Sequence, residues 1–396
     1  MIRLSIQLLH TADIHLGHRQ YGIVEREKDV YEVFNEIIDL ALREHVDLVI
    51  FAGDLFDTPK PPPQALLVAI RGIQRLSERG IKPIAILGDH DLPRRRMLPA
   101  LVLLKEVTPL ILLSDTITNS EHRILVKGEE LQLVGLDAHN ITQSLALKTK
   151  LSQVKPRARY SILILHQSLR EVVPYGEISL ADLPRGFKYY ALGHVHKTTV
   201  LTFNNTYVAY PGSPEALKLD EVKSQDSRYV IFAELTREST SIERIKLLKP
   251  RPQLYIEITS SDIEEKVRKL LHLVSLIKKE KKPLVHIGVK GIRERKHLYS
   301  LLDRTLSKHV LYYRILTLDT EVNTVKTSSL LQTMLQIEST TKIRLEDVLS
   351  SIFGNYTSYV MKIIEVLSTD PQKHAILEAI EVTNKLYKDL LEGDKK

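Results

Sequence analysis

Five short polar clusters in the first two hundred residues combine carboxylates with imidazoles. They are Asp13-Ile14-His15, Gly53-Asp54 with Asp57 close behind, Gly88-Asp89-His90-Asp91, His166, and Gly193-His194-Val195-His196. Alternate residues of an extended segment point the same way. Asp13 and His15 are therefore expected to reach one centre together, and so are His194 and His196. Each cluster alone is weak evidence, because an Asp-x-His sequence is ordinarily a turn carrying a surface histidine. Their order is informative, since each follows an apolar run. Burying His15, His166, His194 and His196 beside Asp13, Asp54 and Asp89 without a cation would be very costly. A bound cation is the natural counter-charge. The chain has no Cys, which excludes disulfides, thiolate nucleophiles and Cys-bound zinc. Carboxylate and imidazole donors without sulfur suit manganese, iron, zinc or magnesium.

The elements that must position these clusters read as alternating strands and helices. Residues 5–9, 48–52 and 83–87 are short apolar runs of the kind buried on both faces of a sheet. Between them, 26–44 carries Val30, Val33, Phe34, Ile37 and Ile38 at helical spacing, and 64–79 follows Pro61-Pro62-Pro63 as a second helix. Further strand-like runs at 131–136, 161–165, 189–192, 207–210, 229–234 and 241–246 include close neighbours suited to antiparallel pairing. The mixture predicts a central β-sandwich flanked by helices. Segments 64–79 and 97–107 are apolar on more than one face, which fits either a thick core or a helix-bundle dimer interface.

The 396 residues suggest two to four domains. With 43% hydrophobic and 27% charged residues the chain has the composition of a globular protein. No apolar run approaches the ~20 residues of a membrane span, and no signal peptide is legible. A cytoplasmic location without membrane association is expected. The net charge of +7 is concentrated: residues 251–318 hold 15 Lys+Arg against 7 Asp+Glu, while the remainder is nearly neutral. Such a surplus suits either a polyanion such as nucleic acid or a solvated helix face. Pro250-Arg251-Pro252 marks a boundary. Residues 1–249 form the first domain and 250–319 a small basic α+β domain. Residues 320–341 read as a polar linker, and 342–396 as a helical tail that buries too little surface to stand alone.

The motif string resembles the calcineurin-like metallophosphoesterases. Leu9-His10-Thr11-Ala12-Asp13-Ile14-His15-Leu16-Gly17 and Gly53-Asp54-Leu55-Phe56-Asp57 resemble, within them, the nuclease subunits of the DNA double-strand-break repair complex, the SbcD type and its archaeal relatives. The resemblance covers about the first 250 residues. It implies a four-layer α/β/β/α core, a capping domain that helps select DNA, and a tail that docks on the coiled coil of an SMC-like ATPase. It also implies a homodimer through 64–79 and 97–107, and a nucleoid-associated location. One metal would be held by Asp13, His15, Asp54 and His196, the other by Asp54, Asp89, His166 and His194, with manganese the usual ion and magnesium or others as alternatives. His90 would stand beside the scissile phosphate. The reaction would be phosphodiester hydrolysis, with exonuclease action on duplex ends and endonuclease action on single strands.

Two positions depart from the pattern. The family usually has Asn where this chain has Asp89, and close relatives often have His at Asp57. Asp89 keeps a ligating oxygen but loses an NH2 donor. Arg94, Arg95 and Arg96 could bind phosphate at the mouth of the site or simply be solvated, and Asp57 is a further candidate for substrate contact. His10, His18 and His139 read as structural or supporting. Two rival readings are a weakly catalytic DNA-binding scaffold and a phosphoesterase acting on small nucleotides.

Overall fold

In the computed structural model the described residues are 5–93, 97–277, 281–291 and 295–318, with 357–358 and 361–362 in the tail. Arg94, Arg95, Arg96, the linker and almost all of the helical tail lie outside them. Residues 1–319 form one compact unit and 320–396 another.

The chain opens with β1 (Ile6–Thr11), α1 (Val24–Arg43), β2 (Leu48–Ala52), α2 (Pro63–Glu78), β3 (Lys82–Ile86), α3 (Ala100–Val107) and β4 (Ile111–Leu112). There follow β5 (Glu121–Val126), β6 (Glu129–Leu136), α4 (Ser144–Gln153), β7 (Tyr160–His166) and β8 (Tyr189–Gly193). Next come β9 (Thr199–Phe203), β10 (Thr206–Tyr210), α5 (Leu219–Lys223), β11 (Tyr229–Leu235) and β12 (Thr240–Lys246). One six-stranded sheet has the order β12-β11-β1-β2-β3-β4 and the other β5-β6-β7-β8-β10-β9. The β1-β2-β3-β4 run and the β6-β7-β8-β10 run are parallel, with antiparallel strands at the edges.

Alternation of side chains gives each sheet two buried faces. Leu8, Ile50 and Ile84 of the first sheet meet Leu133, Ile162 and Ala191 of the second in the middle of the sandwich. Leu9, Val49 and Phe51 point the other way, into Phe34, Ile37 and Ile73 of α1 and α2. Leu163 and Leu165 pack under Leu147 and Leu151 of α4. The result is the α/β/β/α layering that the sequence suggested. The glycine in α2 serves packing: a Cβ on Gly72 would come within 2.5 Å of the Phe34 ring.

After Pro252 the chain forms β13 (Gln253–Thr259), α6 (Ile263–Leu276), β14 (Leu284–Lys290), α7 (Arg295–Thr305) and β15 (Tyr312–Thr317). Its own apolar core runs from Val267 and Leu270 through Val285 and Ile287 to Leu298 and Leu302. All three strands are parallel, in the order β13-β14-β15. The α+β label for this segment is therefore corrected to a β-α-β-α-β unit. The helices alternate with the strands and serve as the crossovers that parallel pairing needs.

This unit is seated on α1 by ion pairs, of which Arg251–Asp29 is buried. Asp29, only 1% exposed, accepts from Arg26 Nη1 (2.7 Å), Arg251 Nε (2.5 Å) and Arg251 Nη2 (2.8 Å). Lys281 reaches Glu32 at 2.7 Å and Asp29 at 3.3 Å. Part of the basic surplus of 251–318 thus neutralises acidic groups of the first domain and is not free for an external polyanion.

Candidate metal centre

β1, β2 and β3 are neighbours in one sheet, and β7 and β8 are neighbours in the other. All five polar clusters follow the C-terminal ends of these strands, where open α/β sheets place their sites. The two sheets meet there: His166 Nδ1 lies 2.8 Å from the Ala52 carbonyl oxygen.

The chain leaves β1, β2 and β8 through tight left-handed turns. Asp13 (φ 54°), His15 (φ 55°), Asp54 (φ 51°) and His194 (φ 85°) all have positive φ. Such conformations cost about 1–3 kcal/mol each for residues with a Cβ, and they persist where surrounding structure enforces them. Here Asp13 N–H donates to Gly53 O (3.1 Å) and His15 N–H to Asp54 O (3.0 Å), tying the first loop to the second. This corrects the extended-segment argument. Asp13 and His15 do converge, but through turned backbone. His194 and His196 do not share a centre: the turn at His194 sends them to opposite sides. The glycines permit the crowding, since a Cβ on Gly88 would lie 2.0 Å from Asp54 Oδ1 and one on Gly193 2.0 Å from Ala52 O.

The seven predicted side chains come together in overlapping groups. Asp13, His15 and His196 form one, and Asp89, His166 and His194 another, each with donor atoms within 4.8 Å of one another. His196 Nε2 is 3.4 Å from His15 Nε2 and 3.7 Å from Asp13 Oδ1. Asp89 Oδ1 is 3.1 Å from His166 Nε2 and 3.0 Å from His194 Nδ1. Asp54 Oδ2 stands between the groups, 3.6 Å from His15 Nε2 and 3.4 Å from His166 Nε2.

The electrostatics favour a positive charge at this place. Burial alone would raise the Asp54 carboxyl, yet His166 and His15 outweigh it and hold it at about 2. Burial disfavours a charged His166, but Asp54, Asp89 and Asp13 raise it well above its ordinary value. Asp89 is likewise held down against burial by His166 and His194. The carboxylates thus draw protons onto an imidazole that is completely buried. Divalent cations held by the same oxygens and nitrogens would supply that charge and leave the rings neutral, so the donor set fits the group.

Supporting residues fix the donors. His15 Nδ1 is 3.5 Å from Asp57 Oδ1, which also receives His18 Nδ1 at 2.8 Å. Asp57 Oδ1 thus lies between the His15 and His18 rings, on a side chain that is 25% exposed. His196 Nδ1 is 2.7 Å from Glu221 Oε1. Asp91, buried, accepts from the backbone N–H groups of Gly88 (3.0 Å), Phe56 (3.0 Å) and Leu55 (3.3 Å), so it pins the third loop to the second. Burial and the charge of Asp54 raise its carboxyl to about 7. Glu221 carried no signal in the sequence, being a single acidic residue outside every cluster. Asp91 was visible only as part of its motif.

His90 lies beside the centre, its ring 4.6 Å from that of His15 and perpendicular to it. Its backbone N–H donates to Asp54 Oδ1 (2.9 Å) and its Nδ1 lies 2.8 Å from Asp57 O. Among the remaining histidines, His10 is buried against Tyr189 OH at 2.9 Å and burial lowers it to about 3. His139 Nδ1 lies 2.7 Å from Asp137 O. No described helix is long and apolar enough to cross a membrane.

Residues 6–198 match the calcineurin-like phosphoesterase family model. The chain is similar to the DNA double-strand break repair protein Mre11 of Saccharolobus solfataricus, at 35% identity over 78% of this chain and 82% of that one. It is also similar to the proteins of that name from Sulfolobus acidocaldarius (36%, over 78% and 82%) and Methanocaldococcus jannaschii (32%, over 65% and 70%).

Proposed function

Because the chain belongs to the Mre11 family of calcineurin-like phosphoesterases, we propose that it is the metal-dependent DNA nuclease of a double-strand-break repair complex. The observation that carries the reading is the placement of Asp54 between the Asp13/His15/His196 and Asp89/His166/His194 groups. The substrate is DNA, cut as an exonuclease on duplex ends and as an endonuclease on single strands. Manganese is the ion assigned first, with magnesium as the alternative.

Asp13, His15, Asp54 and His196 would hold one cation, and Asp54, Asp89, His166 and His194 the other. When bound, such a pair supplies an activated water and stabilises charge on the attacking and leaving oxygens of the phosphate. His90 serves the leaving side. Its Nδ1 donates to the Asp57 carbonyl, which leaves Nε2, on a side chain 41% exposed, 3.9 Å from Asp89 Oδ2. Although burial opposes it, the Asp57 carbonyl and the charges of Asp54 and Asp89 raise the ring above its ordinary value. A protonated Nε2 can then stabilise or protonate the departing 3′-oxygen. Arg94, Arg95 and Arg96 are assigned to phosphate contact and residues 250–319 to capping and DNA selection.

Leu67 (38% exposed) on α2, and Leu103 (54%) and Val107 (48%) on α3, give these helices an apolar outer side. That side supports a homodimer through 64–79 and 97–107. The tail, 342–396, is assigned to the coiled coil of an SMC-like ATPase, and the protein to the cytoplasm at the nucleoid.

The test is incubation of the purified protein with manganese and end-labelled duplex DNA, beside a His90→Ala control. Cleavage by the wild type and its loss in the control support the nuclease. DNA binding without cleavage supports a scaffold, and turnover of a small phosphodiester with intact DNA supports the other phosphoesterase reading.

A further inference from the structure

The imidazoles of the two metal groups are backed in different ways. His166 leans on the Ala52 carbonyl at 2.8 Å, which is part of a central strand. His196 leans on Glu221, which lies on the five-residue helix α5. Glu221 is itself tightly held. Its Oε2 accepts from Ser213 Oγ (2.9 Å) and Leu217 N–H (3.1 Å), and its backbone carbonyl accepts from Arg228 Nη2 (3.0 Å).

The segment carrying Glu221 is also a seat for the C-terminal α/β unit. Gln253 of β13 donates from Nε2 to Ala216 O at 2.7 Å. Arg251 N–H donates to Glu215 Oε2 at 3.0 Å. Lys223, two residues past Glu221, places its Nζ 5.0 Å from the centre of the Tyr255 ring. On the His15 side, Tyr21 (φ 58°) puts its ring 5.8 Å from His286 and 5.6 Å from Tyr312 of the same unit. His18, three residues before Tyr21, meets the Asp57 carboxylate that backs His15.

We propose that Glu221 is a positioning residue that sets the Nε2 of His196 for metal, and that it makes the Asp13/His15/His196 position, alone of the two, sensitive to how the C-terminal α/β unit is seated. The carboxylate receives the Nδ1–H of His196, which fixes the tautomer that leaves Nε2 free to ligate. The His166 position has no such tie, because its supporting carbonyl belongs to β2.

This inference rests on the metal-centre reading above, and its test separates the two. The metal-stripped full-length chain is titrated with Mn2+, with free ion read by electron paramagnetic resonance, for the wild type, Glu221→Gln and the double variant Gln253→Ala/Lys223→Ala. The wild type should take up two equivalents; uptake of none would remove the metal centre itself. Glu221→Gln should weaken one equivalent by about 10- to 100-fold and leave the other unchanged. The double variant should weaken the same equivalent by about fivefold. Thermal melting of the metal-stripped proteins guards against misfolding, and a melt shared with the wild type beside a lost equivalent supports positioning. Two unchanged equivalents in Glu221→Gln overturn the positioning role. Two unchanged equivalents in the double variant, or equal weakening of both, overturn the link to the seated unit.

Discussion

Replacing Asp29 by Asn tests how the C-terminal α/β unit is held on α1. Burial would raise the Asp29 carboxyl, but Arg251 and Arg26 more than offset it and keep it below the ordinary range. The carboxylate is ionised and is the shared counter-charge of two guanidinium groups and Lys281. Asn is nearly isosteric and removes only the charge and one acceptor. Arg26 keeps Glu215 at 3.1 Å and Lys281 keeps Glu32 at 2.7 Å. Arg251 loses its ionic partner while its side chain stays 9% exposed. Breaking one side of a buried ion pair costs about 3–5 kcal/mol. The exposed pair Arg75–Asp39, at 2.5 Å, is the matched control, and Asp39→Asn should change stability by less than about 1 kcal/mol. Urea unfolding followed by circular dichroism gives both values from the midpoint shift at constant slope. A loss in Asp29→Asn no larger than in Asp39→Asn would refute the argument that burial, and not proximity, makes this network matter.

His286 is fully buried, and burial with the charges of Arg314 and Arg26 lowers it to about 4. Its folded value lies below its unfolded one, so the unfolded chain binds more protons between pH 6.5 and 4, and stability falls as pH falls through that window. The loss is at most about 3 kcal/mol; the wild type should lose it in pH-dependent melting and His286→Gln should largely escape it, whereas parallel curves would contradict the assignment. Gly88→Ala drives a Cβ to 2.3 Å from the backbone nitrogen of Asp54, so nuclease activity should fall about 100-fold or more through displaced ligands; near-normal cleavage would show that the loop yields freely. Chelation should abolish cleavage and lower the melting temperature, and added Mn2+ should restore both; a melt indifferent to chelator would count against ligands held in the folded state.

The doubly buried strands were legible because they read as unbroken apolar runs: β2 matches its expected span of 48–52, and β7 and β8 lie within a residue or so. The edge strand β5 was not, since it opens with Glu121, His122 and Arg123 and only Val126 of its six residues is buried. Parallel pairing in the C-terminal unit was hidden for a related reason, because β13 and β15 are only partly buried and look like edge strands of any sheet. The convergence of Asp13 and His15 was foreseen for a reason that the backbone does not use. Positive φ at Asp13, His15, Asp54 and His194 is imposed by contacts between loops, and none of these positions is a glycine. Glu221 and Asp29 act through partners far away in the chain, at His196 and Arg251, and sequence spacing carries no trace of such pairs.

The central claim is a shared Asp54 between two cation positions. Anomalous diffraction from a crystal soaked in manganese tests it most directly. The account predicts two peaks roughly 3.5–4 Å apart, one among Asp13, His15 and His196, the other among Asp89, His166 and His194, with the Asp54 carboxylate touching both. A single peak, or two that leave Asp54 without contact, would contradict it.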